Sequence, residues 1–125
     1  MNVLLIEDEE NMQTIIAAFL KRFADKYALD IKVKALLDPI QGLFESTTNG
    51  SNYDLILLDV RLPKLSGDEI YRSIMHVNPE ILDRILFVTG YKEDLLNRFA
   101  DADLRILDKP FRYDQFEAHV SPLLA

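Results

Sequence analysis

Carboxylate side chains, which can bind a metal ion or act as nucleophiles, directly follow two short apolar runs of this sequence. Glu7 and Asp8 follow Val3–Ile6, and Asp59 follows Leu55–Leu58. Crowded carboxylates repel one another, so one of them is driven towards protonation unless a cation joins the group. Mg²⁺ suits such a site, because it takes oxygen ligands from a few carboxylates and keeps several waters. A lone Asp after a strand is more often a turn residue, so its neighbours in space decide its role.

A hydroxyl group and an ammonium group extend this set. Thr89 lies at the end of a fourth apolar run, and Lys109 follows a fifth. An ionised Asp beside a metal can attack phosphorus and form an aspartyl phosphate. The transferred group spreads its charge over three oxygens, so its transfer depends chiefly on placement and charge neutralisation. Metal, Lys109 and the Thr89 hydroxyl could share those oxygens.

Alternating strand and helix patterns would bring these residues together. Continuous apolar runs are typical of strands buried on both faces, and the stretches between them have apolar residues at helical spacing. The predicted strands are Asn2–Ile6, Asp30–Leu36 (an edge strand), Leu55–Leu58, Arg84–Val88 and Leu104–Leu107. Three of the predicted helices are Glu9–Lys26, Gly67–Val77 and Lys92–Ala102. Another begins at Asp38, with Asp as N-cap and Pro39 at the first helical position, and a polar loop, 46–52, follows it. The last begins at about Tyr113, and Pro122 is expected to end or bend it.

This alternation predicts βαβ units around a parallel sheet, that is, one α/β sandwich. The apolar helix faces expected to pack on the sheet are Met12, Ile15, Ile16, Phe19, Leu20 and Phe23; Ile40, Leu43 and Phe44; Ile70, Ile74 and Val77; Leu95, Leu96 and Phe99; Phe116 and Val120. All strands of a parallel sheet end at the same edge, where α/β proteins bind ligands. We therefore expect the three carboxylates, the hydroxyl and the ammonium to converge there.

Composition narrows the classes of function. A chain of 125 residues has room for one domain, 1–125. The formal charge of −7, with no cluster of Lys and Arg, argues against direct nucleic-acid binding. No apolar run reaches membrane-spanning length, and no basic segment of a signal peptide precedes the first apolar run. The absence of cysteine excludes disulfides and thiolate metal sites and favours a cytoplasmic location.

Four short segments make the chain resemble a response-regulator receiver domain of two-component signalling, of the chemotaxis-receiver type. They are 3–9, 59–63 with Gly67, 88–90, and Asp108-Lys109-Pro110-Phe111. Each is weak alone, but four in this order and spacing are specific. The resemblance covers essentially the whole chain. It implies a flavodoxin-like three-layer sandwich whose doubly wound, five-stranded parallel sheet has the order 2-1-3-4-5.

The resemblance also implies roles for the site residues. Asp59 would accept a phosphoryl group from a histidine kinase or histidine phosphotransfer protein, and Thr89 and Lys109 would contact that group. Asp8 and Asp59 would bind Mg²⁺ directly, Glu7 would bind it through water, and the backbone carbonyl of Arg61 would complete the protein ligands. A cis bond between Lys109 and Pro110 is implied as well.

Phosphorylation would then draw Thr89 inwards and repack the face built from the fourth helix, the fifth strand and the last helix. Such a receiver is not an enzyme, since it assists only its own phosphorylation and slow dephosphorylation. The cognate kinase, the output partner and the formation of a homodimer are not determined by the sequence.

Two positions depart from the receiver pattern, and two more add to it. Glu7 is longer than the Asp that many receivers carry there, and Ile106 stands where a Tyr or Phe often turns inwards on activation. Tyr91 and Arg61 are two residues past Thr89 and Asp59. Our hypothesis is that these two bulky side chains shield the phosphoryl group from water and slow its loss.

Three alternatives remain open at this stage. A pseudo-receiver would be a protein-interaction module that is not phosphorylated. A haloacid-dehalogenase-type phosphatase would need a second Asp where Arg61 stands. A flavodoxin-like nucleotide binder would need a first loop that cradles phosphate, and the four carboxylates of 7–10 would repel it.

Overall fold

A five-stranded parallel sheet forms the centre of the computed structural model, which describes residues 1–60, 65–100 and 102–124. The strands are β1 (Asn2–Ile6), β2 (Lys32–Leu36), β3 (Leu55–Leu58), β4 (Ile85–Thr89) and β5 (Arg105–Asp108). Their order is β2-β1-β3-β4-β5, and every pairing is parallel. The predicted fold class and strand order are confirmed, including the position of β2 at an edge.

In the described part of the chain four helices connect the strands and a fifth follows β5: α1 (Glu10–Tyr27), α2 (Pro39–Asn49), α3 (Gly67–Val77), α4 (Lys92–Arg98) and α5 (Tyr113–Leu124). Short 3₁₀ helices cover Gly50–Asn52 and Pro79–Arg84. Local sequence sets the starts of two helices. The Asp38 side chain accepts a hydrogen bond from the Ile40 backbone N–H, with Pro39 at the first helical position, and the Ser66 side chain caps α3.

Two apolar layers enclose the sheet, one on each face. Alternate strand residues point to opposite faces: Leu4, Ile56 and Phe87 belong to one buried cluster, and Leu5, Leu57 and Leu86 belong to the other. Helices α2, α3 and α4 supply residues to the first cluster, and α1 and α5 supply residues to the second. This is the predicted three-layer sandwich, and it explains why the three central strands, β1, β3 and β4, have continuous apolar runs.

The prediction for α2 was wrong in its length and in two of the three residues of its apolar face; the third, Leu43, packs half-buried on the first cluster as predicted. The helix continues through the expected loop to Asn49, and the Ser46 hydroxyl donates to the Gly42 carbonyl at 2.7 Å. Ile40 and Phe44 are 55% and 67% exposed. The buried stripe is formed by Pro39, Gly42 and Ser46. A Cβ atom on Gly42 would lie 2.7 Å from Ile6 Cγ2, so α2 approaches β1 too closely for large side chains on that stripe.

Smaller differences concern single residues and helix ends. Ile15 and Val77 are 44% and 61% exposed, although both were predicted to be inward. Helix α4 ends at Arg98 rather than at 102. Helix α5 continues through Pro122 to Leu124, because a proline this close to the end of a helix disrupts only its last turn.

Gly67 is the residue at which α3 contacts the end of β3. Its N–H donates to the Val60 carbonyl at 2.8 Å. A Cβ atom built on Gly67 would lie 1.9 Å from the backbone carbonyl oxygen of Asp59. Only glycine allows the start of α3 to pack this closely on the strand that carries Asp59.

The substitution Gly67→Ala is therefore expected to destabilise the protein. The added methyl group meets backbone rather than a movable side chain, and overpacking of this kind costs about 1–3 kcal/mol. Urea unfolding measures the loss. Gly90→Ala is the matched control, because a Cβ atom there meets nothing within 4 Å. Equal stabilities of the two variants would contradict this description of the contact.

Candidate functional site

The carboxylates of Glu7, Asp8 and Asp59 meet at the carboxyl edge of the sheet. Ile6 and Leu58 are paired in register, and the Asp59 N–H donates to the Ile6 carbonyl at 3.2 Å. The residues that follow these two strands are therefore neighbours. One carboxylate oxygen from each of the three lies within 4.8 Å of the other two. Glu7 and Asp59 are buried, with exposures of 2% and 8%, whereas Asp8 is exposed.

The Lys109 ammonium lies against two of these carboxylates. Its Nζ is 2.5 Å from Glu7 Oε1 and 3.4 Å from Asp59 Oδ2. The Lys109 backbone N–H donates to the Thr89 carbonyl at 2.9 Å, which ties the end of β5 to the end of β4. The Lys109–Pro110 peptide bond is cis, as the resemblance implied.

Burial sets the protonation of this group. Burial raises the pKa of Glu7 to about 7; the hydrogen bond from Lys109 opposes this rise and the Asp59 charge adds to it. Burial by itself would lower the pKa of Lys109, but its contacts with Glu7 and Asp59 outweigh that effect and raise it. Within 1–60, 65–100 and 102–124, Lys109 is the one cation whose contact with these three carboxylates is seen, so the described part of the site carries more negative than positive charge.

The donor set fits a hard divalent cation. Carboxylate oxygens are the ligands that Mg²⁺ and Ca²⁺ take in proteins, and the exposed Asp8 gives access from solvent. Asp59 Oδ1 accepts a hydrogen bond from the Val60 N–H at 2.7 Å, which fixes the orientation of this carboxylate. Arg61, whose carbonyl was predicted to be a ligand, lies outside the described residues.

Thr89 and its neighbours line the β4 side of the same edge. Thr89 is fully buried, and its Oγ1 accepts a hydrogen bond from the Tyr91 N–H at 3.0 Å. The Tyr91 side chain is 44% exposed, so it stands at the rim. Ile106 pairs with Phe87 in register and packs half-buried on the cluster shared by α2, α3 and α4.

Sequence reasoning missed two polar contacts. The Gln13 side-chain N–H donates to the Glu7 carbonyl at 2.9 Å, so α1 holds the first loop of the site. Asp68, at the start of α3, is 3% exposed and lies 2.8 Å from Arg98 at the end of α4. The apolar pattern of α1 makes Gln13 look like any polar helix residue. No sequence motif predicts either its contact or that between Asp68 and Arg98.

Comparison with known proteins agrees with this geometry. The family model described as "Response regulator receiver domain" matches residues 3–121. The chain belongs to the response regulator receiver domain family.

The relatives of this receiver include a response regulator and a sensor kinase. This receiver is 32% identical to the response regulator ArlR of Staphylococcus haemolyticus, over 98% of the chain and 52% of ArlR. It is 34% identical to the sensor kinase CckA of Brucella abortus, over 60% of the chain and 8% of CckA. The receiver thus spans about half the length of ArlR and a small part of CckA.

A solved structure shares the fold and describes a bound metal. It is the receiver domain of the sensor histidine kinase PA1611 from Pseudomonas aeruginosa, with a TM-score of 0.78, 26% identity, and coverage of 98% of this chain and 95% of that one. Its description states that a magnesium ion is coordinated in its active-site cleft.

Because the chain belongs to the receiver family, the phosphatase and the nucleotide-binder alternatives no longer apply. Receivers are signalling domains of two-component systems and not classical enzymes. Among the helices of 1–60, 65–100 and 102–124, none combines the length and apolar character needed to cross a bilayer.

The raised pKa of Glu7 predicts a pH-dependent stability in the absence of divalent cations. The pKa of Glu7 is about 7 in the folded receiver, whereas the ordinary pKa of a glutamate is 4.5. The folded receiver therefore keeps a proton on Glu7 at pH values where the unfolded chain has lost it. This contribution to the free energy of unfolding is therefore complete below pH 4.5 and is lost as pH rises through 7. Glu7→Gln should flatten the fall between pH 5 and 8 in urea unfolding, relative to wild type.

Glu10→Gln, at an exposed position, is the control and should leave the fall unchanged. A wild-type stability that did not decline over this range would contradict the assignment.

Proposed function

We propose that this receiver accepts a phosphoryl group on Asp59 from a histidine kinase or histidine phosphotransfer protein, with Mg²⁺ as cofactor. The observation that carries the proposal is the position of the Lys109 ammonium between Glu7 and Asp59, at the edge where three carboxylates lie together. A buried acceptor, a point charge and a divalent-cation donor set are the parts that phosphoryl transfer to an aspartate needs.

Asp8 and Asp59 would hold the metal directly, and Glu7 would hold it through water, with the Arg61 carbonyl as a further ligand. The PA1611 receiver, which shares the fold, is described with magnesium in its cleft. When bound, Mg²⁺ would supply positive charge to the phosphoryl oxygens and would lower the repulsion among the carboxylates.

Asp59 and Lys109 would have different roles in the transfer of the phosphoryl group. An oxygen of Asp59 forms a bond to phosphorus while the bond from phosphorus to the donor's imidazole nitrogen breaks, and the donor keeps that electron pair. Asp59 Oδ1 is held by the Val60 N–H, so Oδ2, on the Lys109 side, is the attacking atom. Lys109 already lies 3.4 Å from Oδ2 and would pair with the incoming oxygens.

Thr89 would link the new group to the rest of the molecule. Its oxygen accepts from the Tyr91 N–H, which leaves its own proton to donate to a phosphoryl oxygen. Movement of Thr89 would displace the start of α4 and allow the face of α4, β5 and α5 to repack. Ile106, half-buried on this side, would repack without the aromatic ring found in many receivers.

Several predictions from the sequence accompany this proposal. Residues 1–125 would form one receiver domain, located in the cytoplasm and without direct contact with nucleic acid. The competing proposal is a pseudo-receiver that binds proteins without being phosphorylated.

Intact-mass analysis after incubation with acetyl phosphate and Mg²⁺ distinguishes the two. The wild-type receiver should gain one phosphoryl group that hydroxylamine removes, because an aspartyl phosphate is a mixed anhydride. Asp59→Asn should gain none. Asp54→Asn is the matched control, since Asp54 lies before the opposite end of β3 and contacts Asn2. A wild-type protein that gained no phosphoryl group would favour the pseudo-receiver.

The rim position of Tyr91 predicts the lifetime of the phosphorylated state. Tyr91→Ala should shorten the half-life of the aspartyl phosphate several-fold, because the ring no longer shields the phosphoryl group from water. The same direction is expected for Arg61→Ala. Tyr27→Ala, which removes an exposed ring from the far end of α1, should leave the half-life unchanged. Half-lives equal to wild type in both the Tyr91 and Arg61 variants would refute the shielding hypothesis.

A further inference from the structure

We propose that Gln13 is a positioning residue that makes the site selective for Mg²⁺ over Ca²⁺. The inference rests on the metal site of the proposed function. It concerns a residue that contacts neither the metal nor the phosphoryl group, and that acts through the backbone of the loop carrying two of the three carboxylates.

Gln13 binds this loop at two points. Its side-chain N–H donates to the Glu7 carbonyl at 2.9 Å, and its backbone N–H donates to the Glu9 carbonyl at 3.0 Å. The residue that precedes α1, Glu9, makes no side-chain capping bond. The backbone bond is the ordinary first bond of the helix, so the restraint that is specific to Gln13 is its side-chain bond to the Glu7 carbonyl.

The bond to the Glu7 carbonyl orients Asp8 in particular. The Glu7 carbonyl belongs to the peptide plane that leads into Asp8, and this plane is rigid. Glu7 is already fixed at its N–H by the Leu36 carbonyl and at its side chain by Lys109. The Asp8 side chain is exposed and gains no such restraint from burial. Its direction thus depends on the peptide plane that Gln13 holds.

Restraint of this kind affects the two cations unequally. Mg²⁺ requires near-ideal octahedral geometry at short distances, whereas Ca²⁺ accepts six to eight ligands in flexible arrangements. A loop that can rotate Asp8 still offers Ca²⁺ a usable set of oxygens, but it loses the fixed ligand direction that Mg²⁺ needs. Loss of the Gln13 contact should therefore weaken Mg²⁺ binding more than Ca²⁺ binding.

Calorimetric titration of the receiver with Mg²⁺ and separately with Ca²⁺ tests this. Gln13→Met keeps the length of the side chain and removes the donor. We expect about a tenfold loss in Mg²⁺ affinity, the lower end of the range for residues that orient metal ligands, and less than about a threefold loss for Ca²⁺. Gln41→Met, the same substitution at an exposed position of α2, should change neither affinity.

Gln13→Glu is the second variant if Gln13→Met fails to fold, as judged by urea unfolding. It also lacks the donor, and its added charge attracts both cations, so the ratio of the two affinities is the quantity to compare. An unchanged ratio in the folded variants, whether or not both affinities fall, would overturn the role of Gln13. A wild-type receiver that bound neither cation would refute the metal site itself, and this inference with it.

Discussion

The contact between the Lys109 ammonium and the Glu7 carboxylate, at 2.5 Å, is the interaction on which the arrangement of the site depends. It joins residues 102 positions apart in the chain, and Lys109 also reaches Asp59. Burying a carboxylate is costly unless a cation and hydrogen bonds compensate it. One ammonium cannot neutralise three neighbouring carboxylates. Among the described residues this leaves a local deficit of positive charge. A divalent cation can relieve it, and the same cation can pair with the oxygens of an incoming phosphoryl group.

The parallel sheet is what makes this contact possible. Pairing of Ile6 with Leu58 places the residues after β1 and β3 side by side, and the Lys109–Thr89 backbone bond does the same for β5 and β4. A one-residue shift in any of these registers would turn the site side chains to the other face. Gly67 adds a steric condition, because α3 starts against the Asp59 carbonyl. Backbone pairing and this close approach therefore set where the site residues stand, and their side chains then make the contacts described above.

Sequence reasoning predicted the central strands and their convergence well because β1, β3 and β4 are buried on both faces, which leaves an unambiguous apolar run. It failed for α2, where periodicity favoured Ile40 and Phe44 but the helix packs on β1 through Pro39, Gly42 and Ser46. Apolar spacing reports amphipathicity and not how closely a helix approaches the sheet. The Gln13 contact could not be predicted from the sequence either, because a side chain that binds a backbone carbonyl in a neighbouring loop leaves no periodic pattern of apolar residues.

The most direct test of the charge deficit is an NMR titration of the Glu7 carboxyl carbon with and without Mg²⁺. Without the cation, the titration midpoint should lie near the value of about 7 that burial and Asp59 impose. Mg²⁺ should move that midpoint to lower pH, because a cation favours the ionised carboxylate. A midpoint near the ordinary 4.5 that Mg²⁺ did not move would contradict the account.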